Sequence, residues 1–247
     1  MSPKRKILLF AGIMAVFGVS VSIAIIAIGG GFSGPSPSLF HPPTSADLWV
    51  VGQNLHPGTV LNYSLTRIGN HSSPWSSLGE HSSLINSLVS MNFVQDGSNG
   101  NNNIWNVIFH IVNDTKSVTI RQGTVLLTKQ QLTNAGPINQ NFTLYYEPIE
   151  SSILEIRDIA LQPGYLVIGA EWNSISLEVT TVPVKITAQE NIQTNAGTFK
   201  TYVLSYTLGS KTSHIWIAHD FPLPIKAEVY NAQSQLQYRY SLVSYKK

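Results

Sequence analysis

The chain contains no cysteine. That absence excludes a disulfide framework, a thiolate zinc site, an Fe–S cluster, covalently attached c-type haem and a blue-copper thiolate. It also excludes a lipidated cysteine, and with it a bacterial-type lipoprotein anchor. Charge is scarce too. Asp, Glu, Lys and Arg make up 11% of the 247 residues, against about 25% in an ordinary soluble domain. Ser, Thr, Asn and Gln must therefore cover most of the surface. The net charge is +2, and apart from Lys4-Arg5-Lys6 the basic residues are scattered. There is no basic patch to bind nucleic acid and no acidic tail to bind a basic partner. The Gly-x-Ser-x-Gly, His-Glu-x-x-His, phosphate-loop and dinucleotide-binding signatures are all missing. No cofactor is expected.

Long apolar runs are missing except at the N-terminus. Lys4-Arg5-Lys6 is followed by an uncharged stretch from Ile7 to Gly34, with its apolar heart at Ile7 to Ile28. Roughly 22 residues of helix rise about 33 Å, enough to cross a hydrocarbon core of about 30 Å. The run is longer than the apolar region of a cleavable signal peptide, so a retained signal-anchor over residues 7–29 is expected, although Ala27-Ile28-Gly29 offers a weak cleavage site. The basic residues lie before the span, and the next one is Arg67. The positive-inside rule then keeps residues 1–6 in the cytoplasm and places the rest outside a cell membrane crossed once, with residues 7–29 in the lipid bilayer. Gly18-x-x-x-Ser22 is a small-residue pair of the kind that lets membrane helices associate.

Residues 30–46 are rich in Gly, Ser and Pro and read as a spacer. Residues 47–247 change character. Short segments rich in Val, Ile, Thr and Tyr alternate with Gly, Asn and Pro clusters, which predicts an antiparallel, mainly β domain. Strands are expected at Thr59–Ile68, Ile104–Val112, Val118–Leu127, Phe142–Tyr146, Ile153–Leu161, Tyr165–Gly169 and Ser174–Thr181, with a bulge at Gly123. Trp105, Val107, Phe109 and Ile111 share one face, as do Tyr202, Leu204, Tyr206 and Leu208. A hairpin is expected from Val184–Ile192 and Phe199–Leu208 around Asn195-Ala196-Gly197. His214–Ala218 follows, then a second hairpin from Ile225–Tyr230 and Gln235–Tyr245. A helix is predicted after Ser77-Leu78-Gly79-Glu80, a capping-box pattern, with Leu84, Ile85, Leu88 and Met91 at helical spacing. Asp96–Asn103 reads as a polar loop.

Ala196-Gly197-Thr198-Phe199-Lys200-Thr201-Tyr202, then Ile215-Trp216-Ile217, Pro222-Leu223-Pro224-Ile225-Lys226-Ala227-Glu228 and Tyr240-Ser241-Leu242 resemble the strand pattern of DUF3108-like proteins. That group is similar to the LolA/LolB-like half-barrels of bacterial envelopes. The resemblance covers roughly residues 180–245 and rests on strand and turn residues, not on chemistry. It implies a strongly curved antiparallel sheet or half-barrel with a helix or loop over its concave face, a face that holds acyl chains in the carriers.

Among the histidines no pair has metal-ligand spacing along a strand. A composite site from His56, His71 and His81 would depend on the fold, and no metal site is assigned. Glu147, Glu150, Glu155 and Asp158, with Arg157 among them, read as a solvated charged edge. No catalytic residue is assigned. Asn-x-Ser/Thr sequons at Asn62, Asn70, Asn113 and Asn141 are candidate glycosylation sites if the organism glycosylates. Tyr202, Tyr206, Trp216, Tyr238 and Tyr240 are the candidate ligand or partner face, set against ordinary cross-strand packing. The functional expectation is a non-enzymatic binding or accessory protein of the envelope with a protein partner or an apolar ligand. The alternatives are a carrier or sensor of a lipid-like molecule, and an envelope hydrolase.

Overall fold

The computed structural model describes residues 42–68, 84–95, 103–113, 119–160, 164–177 and 180–247. They belong to one unit, Phe40–Lys247. The expected span 7–29 and most of the spacer lie outside the described residues, as do His41, His71, His81, Asn70, Ser77–Glu80 and most of the polar loop. Among the described residues no helix is long and apolar enough to cross a membrane.

The described residues form one antiparallel ten-stranded sheet with a small two-stranded ladder at one end. The strands are β1 (Leu48–Trp49), β2 (Val60–Ile68), β3 (Leu84–Gln95), β4 (Ile104–Asn113), β5 (Thr119–Thr128), β6 (Gly164–Tyr165), β7 (Glu171–Ser176), β8 (Thr181–Thr194), β9 (Gly197–Thr207), β10 (Thr212–Ile217), β11 (Lys226–Tyr230) and β12 (Leu236–Lys246). The helices are α1 (Gln140–Glu150) and α2 (Ile156–Ile159). The sheet order is β5-β4-β3-β2-β12-β11-β10-β9-β8-β7. Every neighbour is also a neighbour in sequence except β2 and β12, which join the two meanders. The sheet is strongly curved. β12 and β8 approach each other although three strands lie between them in the sheet order, and the rings of Phe199 on β9 and Tyr245 on β12 are 6.3 Å apart.

Alternation of side chains explains the inner face. Leu61, Tyr63 and Leu65 of β2 face inward with Val89, Met91 and Phe93 of β3, Trp105, Val107, Phe109 and Ile111 of β4, and Val125 and Leu127 of β5, all buried. Fully burying each such side chain contributes on the order of 1.5–3 kcal/mol. The outer face is tied by neutral pairs: Asn62 Nδ2 to Ser244 Oγ at 2.8 Å, Thr66 Oγ1 to Asn86 Oδ1 at 2.8 Å, and Thr187 Oγ1 with Ser205 Oγ at 2.8 Å. Cross-strand hydrogen bonds of this kind suit a surface with so few charges.

The two hairpins of the C-terminal third form as the alternation predicts, β8 with β9 and β11 with β12, and the residues of the resembling pattern fall on β9, β10, β11 and β12 and on the turns at Ala196 and Pro222–Ile225 that lead into β9 and β11. Six expectations fail. Leu84–Gln95 is not part of a helix. The helical spacing of Leu84, Leu88 and Met91 competes with a period-two set, Val89-Met91-Phe93, and pairing with β2 on one edge and β4 on the other decides for the strand. Phe142–Tyr146 is not a strand but the heart of α1. There the β-prone Phe, Thr and Tyr yield to an apolar stripe, Phe142, Tyr146 and Ile149, that packs onto the sheet, and Asn139 caps the helix by accepting from Asn141 N at 2.9 Å. Of the expected strand Ile153–Leu161, the described residues 153–160 are a turn followed by α2. The stretch Tyr165–Gly169 is strand only at its first residue and Ser174–Thr181 is split between β7 and β8. Gly123 makes no bulge; it pairs in register with Phe109, and the shift in β4–β5 lies between Ile111 and Val112.

Gly123 has another task. A Cβ there would lie 2.5 Å from Cγ of Phe142. The ring of Phe142 rests on the bare backbone of β5, which lets α1 sit close to the sheet. Gly164 does the same for Trp172, whose ring covers it and stacks on Trp49 with centroids 5.7 Å apart. Trp49 is fully buried and donates from Nε1 to the carbonyl of Phe221 at 2.8 Å, so β1 and β6 close one end of the sheet.

Candidate functional site

The segment from α1 through α2 crosses the concave face. α1 lies over β4 and β5, with the ring of Tyr146 5.5 Å from that of Phe109. The turn after α1 buries Ser152, Ile153 and Leu154. Glu155 then stands at the N-cap position of α2, yet its carboxyl makes no cap; it turns toward the sheet and accepts a hydrogen bond from the hydroxyl of Tyr238.

Around that carboxyl the concave face is lined by tyrosines. Tyr238 and Tyr240 of β12 stack in parallel, 6.1 Å between centroids with 5° between planes. Tyr63 meets Tyr240 edge-on at 5.6 Å and donates to the carbonyl of Pro224 at 3.0 Å. Tyr206 of β9 completes the group. All four are buried. Burial pushes their hydroxyls well above the ordinary tyrosine range, and the Glu155 carboxyl adds to the effect at Tyr206, Tyr238 and Tyr240. Glu155 itself is pushed up to about 7, chiefly by desolvation; Asp158 adds to the rise, while the Tyr238 hydrogen bond and Arg157 oppose it.

Arg157 does not neutralise Glu155. Its Nη2 donates to Glu150 Oε1 at 2.6 Å, its Nε to Asp158 Oδ1 at 3.2 Å and its Nη1 to the carbonyl of Leu132 at 3.4 Å. The acidic cluster is thus divided. Glu150 and Asp158 form the expected charged edge, and Glu155 departs from it by facing inward. The pointer in the sequence is its place between Leu154 and Ile156, a carboxylate within an apolar run.

The predicted face also divides. Tyr206, Tyr238 and Tyr240 come together on the concave side. Tyr202 lies further along β9, half-buried beside Gln189 and Asp47. Trp216 is on the other side of the sheet. There it donates from Nε1 to Glu190, lies under the ammonium of Lys226 at 4.5 Å from its ring centroid, and sits 5.7 Å from the ring of His214. The register His214↔Glu228 and Trp216↔Lys226 places Glu228 and Lys226 on that convex face, where Tyr230 donates to Glu228 and carries Lys211 over its ring at 4.8 Å. Of the sequons, Asn62 is on the convex side of β2, Asn113 ends β4, and Asn141 is exposed in the first turn of α1. Among the described residues no group of three or more His, Asp or Glu is placed to hold a metal ion.

The remaining polar cluster lies where the chain enters the domain. His219 has an acceptor at each ring nitrogen: Asp220 Oδ1 at 2.9 Å from Nδ1 and the carbonyl of Ala46 at 2.6 Å from Nε2. Satisfying both requires the imidazolium, and these two bonds, the Asp220 carboxylate first, raise its pKa.

No family model matches the chain, and no curated protein does. Several solved structures resemble it at low identity. A protein of Parabacteroides distasonis described as a lipoprotein is 13% identical, with 80% of this chain and 99% of that one covered, at a TM-score of 0.39. A protein of Bacteroides fragilis described as exported, with a YmcC-like fold, is 10% identical over 81% of this chain and 100% of its own, at 0.37. MucB is 10% identical over 77% of this chain and 53% of its own, at 0.35. At these values none of them defines a shared family or a shared site.

Proposed function

We propose that the chain is a non-enzymatic binding or accessory protein of the cell envelope, tethered by residues 7–29 with its β domain on the extracytoplasmic side. The observation that carries the binding reading is the occupation of the concave face by the protein's own segment, Gln140 to Ala160. The interior is supplied with its own filling, which leaves the convex face for a partner; there Trp216 is itself buried beneath Lys226, His214 and Glu190, and the half-buried Tyr230 lies beside Lys211 and Glu228. That face combines an aromatic side chain with flanking cations and carboxylates, the mixture found at protein interfaces. The anchor and spacer support the location: a positive flank, a span of sufficient length, then a Gly/Ser/Pro tether.

A carrier of a lipid-like ligand in the concave face would have to displace the α1–α2 segment. The two readings separate in one experiment. A photoreactive residue is placed at Tyr230 on the convex face of the full-length protein and irradiated in native membranes. A discrete protein adduct that weakens on Lys211→Ala, an exposed side chain beside Tyr230, supports the binding reading. Absence of protein adducts, together with acyl lipid co-purifying at one per chain, overturns it in favour of the carrier.

A further inference from the structure

The half-buried Glu155 carboxyl turns inward between α2 on one side and β9 and β12 on the other. The groups facing it from the sheet are Tyr206, Tyr238 and Tyr240, all neutral, with Tyr63 behind Tyr240. On its own segment the neighbours are Asp158, a like charge, and Arg157, whose guanidinium is engaged by Glu150, Asp158 and the Leu132 carbonyl. A carboxylate in this position has a tyrosine hydroxyl as hydrogen-bond donor and no cation devoted to it. A neutral carboxyl is desolvated here at a much smaller cost than an ionised one, and the ionised form is stabilised by leaving the sheet for water. The element that would leave with it is slight. α2 is a single turn, and α1 before it contains Pro148, which removes one helical hydrogen bond.

We propose that the inward-facing Glu155 carboxyl is a proton-controlled latch: in its neutral form it lets the segment from Ser151 to Ala160 lie on the concave face, and loss of the proton releases that segment and uncovers the tyrosines of β9 and β12. The latch is independent of which partner the convex face binds. Its direction follows from the closed and open states. With the closed carboxyl titrating at about 7 and the open one at its ordinary 4.5, the two states bind protons equally below about pH 4. Between these values the closed state holds the extra proton, so opening is favoured as pH rises and levels off above about pH 8. From pH 5.5 to 8.5 the opening equilibrium rises about 30-fold.

The test is hydrogen exchange on the full-length protein, followed by mass spectrometry of peptides from residues 140–160 and corrected for the intrinsic pH dependence of exchange. The expected result is a corrected rate about 30-fold higher at pH 8.5 than at pH 5.5, confined to that segment. Glu155→Gln retains an acceptor for Tyr238 and removes the proton, so its corrected rate is flat with pH. Tyr238→Phe removes the hydrogen bond that favours the ionised form; the carboxyl titrates higher still, and the pH-driven rise persists with a larger amplitude. An unchanged corrected rate in the wild type, or a rise that survives in Glu155→Gln, overturns the latch.

Discussion

Replacing Gly123 by alanine probes the seating of α1 directly. The added Cβ would lie 2.5 Å from Cγ of Phe142 and 2.7 Å from both Cδ atoms, against the Cγ corner of the ring. Carbon atoms rest at about 3.5–4.0 Å, so the ring must retreat by roughly 1 Å. It has little room. Phe142 is buried and lies 6.2 Å from the ring of Phe109 and 6.4 Å from that of Tyr146. Overpacking of this kind costs about 1–3 kcal/mol. The lower backbone entropy of alanine in the unfolded chain offsets about 0.5–1 kcal/mol. The net expectation is a loss of about 1–2 kcal/mol, or about 3–6 °C in Tm for a domain of this size. Urea unfolding of the full-length protein, followed by tryptophan fluorescence, measures it. Phe142→Ala alone should cost about 3–5 kcal/mol. In the double variant the new methyl occupies part of the vacated space, so the loss is smaller than the sum by about 1 kcal/mol or more. A neutral or stabilising Gly123→Ala, with additive behaviour in the double variant, would refute the placement of Phe142 on β5.

Other outcomes follow from single contacts. Trp49→Phe keeps most of the stack on Trp172 but leaves the buried carbonyl of Phe221 without its donor, and should lower the urea-derived stability by about 1–3 kcal/mol. Asn139→Ala removes the cap of α1 and should cost about 0.5–2 kcal/mol, with the exchange rates of the first helical turn rising most. The raised pKa of His219 means that its tie to Asp220 and Ala46 is complete below the ordinary histidine range and is lost as pH rises through the raised value. Nuclear magnetic resonance titration should find that ring protonated above pH 6.5, and Asp220→Asn should bring it back toward the ordinary value; an unshifted ring would contradict the double hydrogen bond.

Strand positions with clean alternation and a turn signal were legible in the chain. Trp105 to Ile111, and the hairpin around Asn195-Ala196, are read correctly because a period of two and a local turn are properties of neighbouring residues. The failures occur where local preference and tertiary need diverge. Phe142–Tyr146 has the composition of a strand, yet a helix there presents Phe142, Tyr146 and Ile149 to a sheet that requires a cover. Leu84 to Met91 can be read with either period, and the two neighbouring edges of β2 and β4 decide. Trp216 shares a pattern of aromatic residues with Tyr206 and Tyr238, but strand parity sends it to the opposite side of the sheet.

The amino-acid sequence alone settles what chemistry is missing. Without cysteine there is no thiolate site, and with so few charges the exposed strands must be held by neutral side-chain pairs, as Asn62–Ser244 and Thr66–Asn86 show. It also defines the antiparallel β character of residues 47–247, because alternation is encoded residue by residue. Only the tertiary structure decides which carboxylate turns inward. Glu147, Glu150, Glu155 and Asp158 look alike along the chain. Glu155 becomes different when the turn after α1 presses it against Tyr206, Tyr238 and Tyr240 while Arg157 is held by Glu150. Desolvation depends on what packs across space, and those tyrosines arrive from strands some fifty and eighty residues away.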